Sequence, residues 1–252
     1  MKINVSISNS STCLNDVQVS SVISALQKQV SLDFAPIWGA DASLSFVPKG
    51  KTPDPESWHI VVLDNSDQAG ALGYHDVTPS GLPLGKIFAK DDIDYGSSWT
   101  VTMSHELLEM LADPDINRTF QVPSSDGSFQ LYAAEVCDPC EDDSVGYQID
   151  GILVSDFVYP AWFKPATLQI PSLPPYDKTG ALSYPLNIAF NGYQSIYSPG
   201  SGWHQVYADM ALTKNENPNK WMWKRRPRIG SRRERRLIPR QFWSRSLKES
   251  EL

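Results

Sequence analysis

The sequence predicts an α+β fold: a mixed sheet with one edge strand, a helix that carries the chemistry, and an irregular C-terminal part. Three observations predict it. Short alternating or apolar runs fit for strands flank two amphipathic stretches in the first 115 residues. The second of these stretches has a serine cap at its start and a proline at its end. Beyond it the periodicity fades, and residues 171–203 are rich in Pro, Gly and Tyr.

The elements follow in order. Residues 2–8, KINVSIS, alternate as a first strand. Val19, Val22, Ile23, Leu26 and Val30 form the stripe of an amphipathic helix over residues 16–30, with Asn15 or Asp16 as its cap. ASLSFV (42–47) reads as a second strand, and HIVVLD (59–64) is apolar enough for a central one. GALGYHD (70–76) is short and broken by glycine, which suits a sheet edge. GKIFAKD (85–91) is a further strand. Ser97 or Ser98 caps the next helix, which Pro114 ends. Residues 116–130 read as loop, QLYAAEV as a short strand, and YQIDGILV as a hairpin turning at Asp150–Gly151. DFVYPAWF is core or cleft wall.

Composition narrows the class. A 252-residue chain that is 41% hydrophobic and 11% aromatic can bury a core, which argues against a disordered protein. No apolar run approaches the roughly 18–20 residues of a membrane span. The N-terminus lacks the apolar segment of a signal peptide, so a cytoplasmic site of synthesis and no membrane partner are expected. The three cysteines, Cys13 alone and Cys137 with Cys140 in CDPC, do not make a disulfide scaffold. Charge is placed unevenly. Eleven of the 22 basic and three of the 29 acidic residues lie in 221–252, so an acidic remainder of −15 carries a tail of +8.

The chemistry concentrates in SHELLEMLADPD (104–115). Met103, Leu107, Met110 and Leu111 form one apolar stripe of the helix; His105 and Glu109 lie one turn apart on nearly the opposite side, flanked by Val101, Leu108 and Ala112. Two polar groups held among apolar neighbours need a partner, and a divalent cation would supply one. The i, i+4 spacing lets both side chains reach one ion. Glu106 beside them has the position of a general base. Four His and nine Glu in this chain give roughly 0.005 chance occurrences of HExxE at random placement. Glutamate enrichment on helices raises that figure, so an ordinary core helix stays open as the other reading.

A third ligand has two candidates. Asp115 lies ten residues after His105; Glu135 follows the apolar LYAA and precedes Asp138, Glu141, Asp142 and Asp143. Asp113 suits a supporting role at the helix end, and Asp138 one beside the ligands. Cys137 and Cys140 could be metal ligands, a disulfide, a redox pair or structural residues. His75, His59 and His204 read as packed or surface residues, with His75 near the cleft on the edge strand.

The strand order, the edge strand and SHELLEMLADP resemble the zincin fold of metallopeptidases. VTMSHELLEMLADPDIN followed by AAEVCDP and VSDFVYPAWF is similar to a group of phage and bacterial proteins described as virion-associated. A looser similarity connects HExxE and the later acidic and cysteine residues to exordium-like proteins. The resemblance covers residues 55–165. It implies a metal-dependent hydrolase, a peptidase by type, with His105, Glu109 and Glu135 as ligands and Glu106 as general base. It also implies a peptide or protein substrate along Gly73, Tyr74 and His75 on the edge strand, and a place in a virion. One divalent metal is expected, zinc first. Glu109 stands where the peptidase pattern has a second histidine, which brings the site charge near zero and opens it to manganese or calcium. A non-catalytic, metal-stabilised relative is the alternative.

These expectations divide the chain into a zincin-like domain (1–170), a packed extension (171–220) and a basic tail (221–252). In the tail Arg225, Arg226, Arg232, Arg233, Arg235 and Arg236, with Phe242 and Trp243, could contact nucleic acid or an acidic protein surface, or be simply solvated.

Overall fold

A computed structural model describes residues 2–68, 70–124, 127–165 and 175–208. The fold is mixed α+β with several sheets and few helices. In chain order the first part contains β1 (Ile3–Asn9), α1 (Asp16–Ser21), α2 (Ile23–Lys28), a π-helical turn (Gln29–Phe34), α3 (Ala35–Trp38), β2 (Ala42–Val47), β3 (Trp58–Leu63), β4 (Gly73–Val77), β5 (Pro83–Phe88), α4 (Ala89–Tyr95) and α5 (Trp99–Ala112). The second part contains β6 (Thr119–Pro123), β7 (Phe129–Ala133), β8 (Tyr147–Ile149), β9 (Ile152–Val154), β10 (Tyr193–Ser198) and β11 (Gly202–Tyr207).

The first sheet has the order β2-β1-β3-β5-β4. Its first four members run parallel, and β4 lies antiparallel to β5 at the edge. β3 is central, as its apolar run requires. Val5, Ile7, Ile60, Val62 and Ile87 from this sheet share one core with Val19, Leu26, Val30 and Phe34 of the first helical stretch and Leu107, Leu108 and Met110 of α5. That stretch runs on to Trp38 rather than stopping at residue 30. It is capped by Asn15, whose side chain accepts from the Gln18 amide while Gln18 bonds back to the Asn15 amide.

α5 is the scaffold of the site. It lies on β4 and β5 and has β9 on another side. Every residue from Met103 to Ala112 is buried, so its polar members are interior by construction. Ser104 Oγ donates to Gln29 Oε1 (2.7 Å) and accepts from the Ser155 amide (3.0 Å); Gln29 Nε2 donates to the Ser155 carbonyl (2.9 Å). This closed network ties α5 to the π-helical turn and to the segment after β9.

The close approach of β4 to α5 depends on Gly73. A Cβ there would lie 2.7 Å from Thr102 Cγ2 and 2.9 Å from Glu106 Cγ. Gly73→Ala is therefore expected to lose about 2 kcal/mol of stability by overpacking and to push Glu106 away from the strand. Urea denaturation measures this; an unchanged midpoint would mean that Thr102 and Glu106 yield without cost.

Several expectations are corrected. The strand over 85–91 ends at Phe88, and α4 begins at Ala89. Residues 116–130, read as loop, contain β6. Within the described residues 175–208 the C-terminal part carries regular structure: β10 and β11 form a hairpin that joins β7 and β6 in an antiparallel sheet ordered β11-β10-β7-β6. The hairpin of β8 and β9 does turn at Asp150 (φ 52°) and Gly151 (φ 81°), two successive left-handed residues as a type I′ turn requires. The DFVYPAWF segment is interior: Trp162 and Phe163 are buried, Phe163 stacks on Phe120 at 4.0 Å, and the Trp38 indole N–H donates to the Val158 carbonyl.

A buried carboxyl pair fastens residues 177–182 to this segment. Asp156 accepts from the amides of Phe157 and Lys178 and from the Thr179 hydroxyl; Asp177 accepts from the amides of Ala181 and Leu182. Burial, and then the hydrogen bond and charge of Asp177, push the Asp156 carboxyl up to about 8. Its unfolded value is near 3.8. Between these limits the folded chain holds a proton that the unfolded chain has released, so stability present below about pH 4 is lost as pH rises to about 8. Asp177→Asn removes the repelling charge and is expected to flatten urea midpoints between pH 5 and pH 8.5. An unaltered slope would exclude the pair as its source.

Candidate metal centre

Four elements bring acidic and imidazole groups to one interior point. α5 contributes His105, Glu106 and Glu109. β4 contributes His75, which alternates with Tyr74 and so shares with Gly73 the side facing α5. The stretch after β7 contributes Glu135, and a 3-10 turn over Asp138–Cys140 contributes Asp138, with Cys137 just before it. None of His75, His105, Glu106, Glu109, Glu135 and Asp138 is more than 7% exposed.

Glu109 is the centre of the arrangement. Its Oε1 accepts from the amides of Cys137 (3.2 Å) and Asp138 (3.3 Å) and lies 3.2 Å from His105 Nε2. Its Oε2 lies 3.7 Å from His75 Nδ1. His105 Nε2 is also 3.2 Å from Asp138 Oδ1. His75 Nδ1 is 3.5 Å from Glu106 Oε2, and its Nε2 is 3.9 Å from Glu135 Oε2. The Asp138 turn is held in place from behind: the Ala189 amide donates to the Pro139 carbonyl, and a Cβ on Gly192 would lie 2.4 Å from that oxygen.

The electrostatics follow from crowding. Burial would lower the His105 imidazole, but the Glu109 charge and the hydrogen bonds to Asp138 and Glu109 outweigh it and hold it well above its usual range. Burial and the Asp138 charge raise Glu109, against the opposing pull of His105. Four buried carboxylates face two imidazoles here. The donors fit a cation chemically: His105, Glu109 and Cys137 form one set, His75, Glu109 and Glu135 a second, and His105, Asp138 and Glu141 a third, each with ligand atoms within 4.8 Å of one another.

The expected residues are placed as follows. His105 and Glu109 meet directly. Glu135 joins Glu109 through a set that contains His75. Asp138, expected as a supporting residue, touches His105 itself. Asp113 is the C-cap of α5 and accepts from the amides of Asn117 and Arg118, bracing a turn in which the buried, β-branched Ile116 adopts φ 50°. Asp115 is exposed, belongs to none of the three sets, and is corrected as a third-ligand candidate.

His75, expected on the edge strand near the cleft as a packed or surface residue, is buried there, and its ring faces three glutamates. Gly73 and Tyr74 remain on the edge strand and are buried, and Tyr74 donates to Asp67. Cys137 and Cys140 are buried free thiols, and burial first, then nearby carboxylates, push both thiols well up. That is opposite to a reactive redox pair. His59 pairs with Ser8, and His204 is exposed. The basic tail, with Arg225, Arg226, Arg232, Arg233, Arg235 and Arg236, lies outside the described residues. No helix among the described residues is long and apolar enough to cross a membrane.

Comparison with protein-family models, with curated proteins and with solved structures finds no match.

Proposed function

We propose that this chain is a metal-dependent hydrolase of the zincin type, cleaving peptide bonds, with Glu106 as its proton-transferring base. The observation that carries the reading is the meeting of HExxE with buried donors from three other segments: His75, Glu135 and Asp138. The β2-β1-β3-β5-β4 order, with one antiparallel edge strand and the HExxE helix lying beneath it, also supports it.

His105 and Glu109, with Glu135 or Asp138, would hold the ion, which would supply Lewis-acid polarisation to a substrate carbonyl and to water. Glu106 is held by its fit under Gly73, 3.5 Å from His75. From there it takes a proton from the attacking water and passes it to the leaving amine. Glu109 and Asp138 are held by the Cys137 and Asp138 amides, which donate to Glu109, and by the close approach of Gly192 to the Pro139 carbonyl, and His105 lies against both carboxyls.

The burial of the cluster favours a second reading: a zincin-like protein whose ion is structural, because a closed set of ligands leaves no position for substrate. One experiment separates the two. The full chain, purified without chelator, is assayed for bound metals by elemental mass spectrometry and for turnover on a peptide library, before and after chelation and metal return. Turnover that disappears and comes back with metal supports the hydrolase. Stoichiometric metal, a melting temperature that falls on chelation, and no turnover would give the structural reading. Absence of stoichiometric metal would overturn both.

A further inference from the structure

Glu109 faces two imidazoles at once. Oε1 lies 3.2 Å from His105 Nε2 and Oε2 lies 3.7 Å from His75 Nδ1. The two faces belong to different ligand sets that share only this carboxylate: His105, Glu109 and Cys137 on one side, and His75, Glu109 and Glu135 on the other. Asp138 supports the first side through His105, and Glu106 supports the second through His75.

We propose that the centre binds two divalent cations bridged by the Glu109 carboxylate. This rests on the metal-binding reading above and extends it from one ion to two. His105, with Asp138 and Cys137, holds the first ion; His75, with Glu135, holds the second.

Two physical arguments carry the inference. The first is geometric. A tetrahedral ion with bonds near 2.0–2.1 Å keeps its donors about 3.3 Å apart. The His105–Glu109 and His105–Asp138 separations, both 3.2 Å, match that spacing. On the other side Glu109 Oε2 lies 3.7 Å from His75 Nδ1, and the ligand atoms of His75, Glu109 and Glu135 lie within 4.8 Å of one another, a wider spacing that suits a cation with longer bonds to oxygen, such as Mn²⁺. His105 and His75 share none of the three sets, and each faces a different oxygen of Glu109, which is the arrangement of a bridging carboxylate. Ions in such pairs lie roughly 3.5–4 Å apart.

The second argument is charge. Glu106, Glu109, Glu135 and Asp138 bring four carboxyl groups into the interior, which as ionised ligands would carry four negative charges. A divalent ion whose ligands include a neutral imidazole cancels two of them. Two ions cancel all four, which removes the cost of burying uncompensated charge.

The test uses the full-length chain, stripped of metal, titrated calorimetrically with Zn²⁺ and with Mn²⁺, and analysed for metal after desalting. Electron paramagnetic resonance of the Mn²⁺ form reads the bridge. Two ions per chain with exchange-coupled Mn²⁺ are expected. His105→Ala and His75→Ala are each expected to keep one ion and lose the coupling. Glu135→Gln gives a second variant on the His75 side should His75→Ala fail to fold, with far-ultraviolet circular dichroism as the folding control. One ion in the wild type would overturn the bridged pair and leave the single-metal reading intact. No ion would overturn both. Two uncoupled ions, or two ions retained in both histidine variants, would place the second ion elsewhere and overturn the bridge.

Discussion

Glu109→Gln is expected to purify without metal and to melt about 10 °C below the metal-loaded wild type, while its metal-free form melts within a few degrees of metal-free wild type. The two halves of this result have different causes. A ligand at about a thousand times its dissociation constant stabilises the folded chain by about 4 kcal/mol, which for a domain of this size is roughly 8–16 °C. Glutamine loses the charge that holds the ion but keeps an oxygen for the amides of Cys137 and Asp138. It also removes one charge from a crowded set, which relieves Asp138 and Glu106. Against this stands the loss of a partner for the His105 imidazole, which Asp138 still contacts at 3.2 Å. These opposing terms leave the metal-free protein little changed. Glu109→Ala differs because both amides lose their acceptor in a dry interior, a cost of about 1–3 kcal/mol for each such group. Calorimetric melting of both variants, with and without added Zn²⁺, measures the difference. Equal melting temperatures for wild type and Glu109→Gln in the presence of metal would mean that Glu109 is no ligand.

Half of this centre could be read from sequence because it is local. His105, Glu106 and Glu109 lie on one helix, and helical periodicity alone puts the first and third side by side. Glu135 was reachable because the apolar LYAA before it points it inward, while the acidic residues that follow, Asp138 among them, read equally well as a solvated loop. His75 was not reachable in that way. Its place depends on β4 being antiparallel to β5, with His75 opposite Gly85, and on Gly73 leaving room for Glu106. The signal was present as Gly73 and Gly85 flanking a histidine and a strand turn. It becomes informative only once the register is known. The β10–β11 hairpin was hidden for another reason. YQSIYS and GWHQVY alternate, and SPGSG joins them, but the Pro- and Gly-rich segment before them masks the pattern. The first sheet was legible because its strands are apolar and separated by clear helical or turn signals.

Glu106→Gln is expected to lower turnover by about 10³-fold while bound metal and melting temperature stay at wild-type values or rise slightly. Glutamine matches glutamate in shape, so it fits the space that Gly73 leaves on β4. It cannot accept a proton from water, and a positioned general base contributes about 10²–10⁴-fold. Stability should not suffer, because the glutamate charge contributes to holding the carboxyl of Glu109 up; its removal eases the cluster. The comparison distinguishes base from ligand through one added measurement. Glu106 lies 3.5 Å from His75 Nδ1, close enough to serve an ion on the His75 side. If turnover and one equivalent of metal fall together, Glu106 is a ligand and the base lies elsewhere. If turnover falls and metal stays, the proton transfer belongs to Glu106. If neither changes, Glu106 is neither base nor ligand, and the proton transfer belongs to another group.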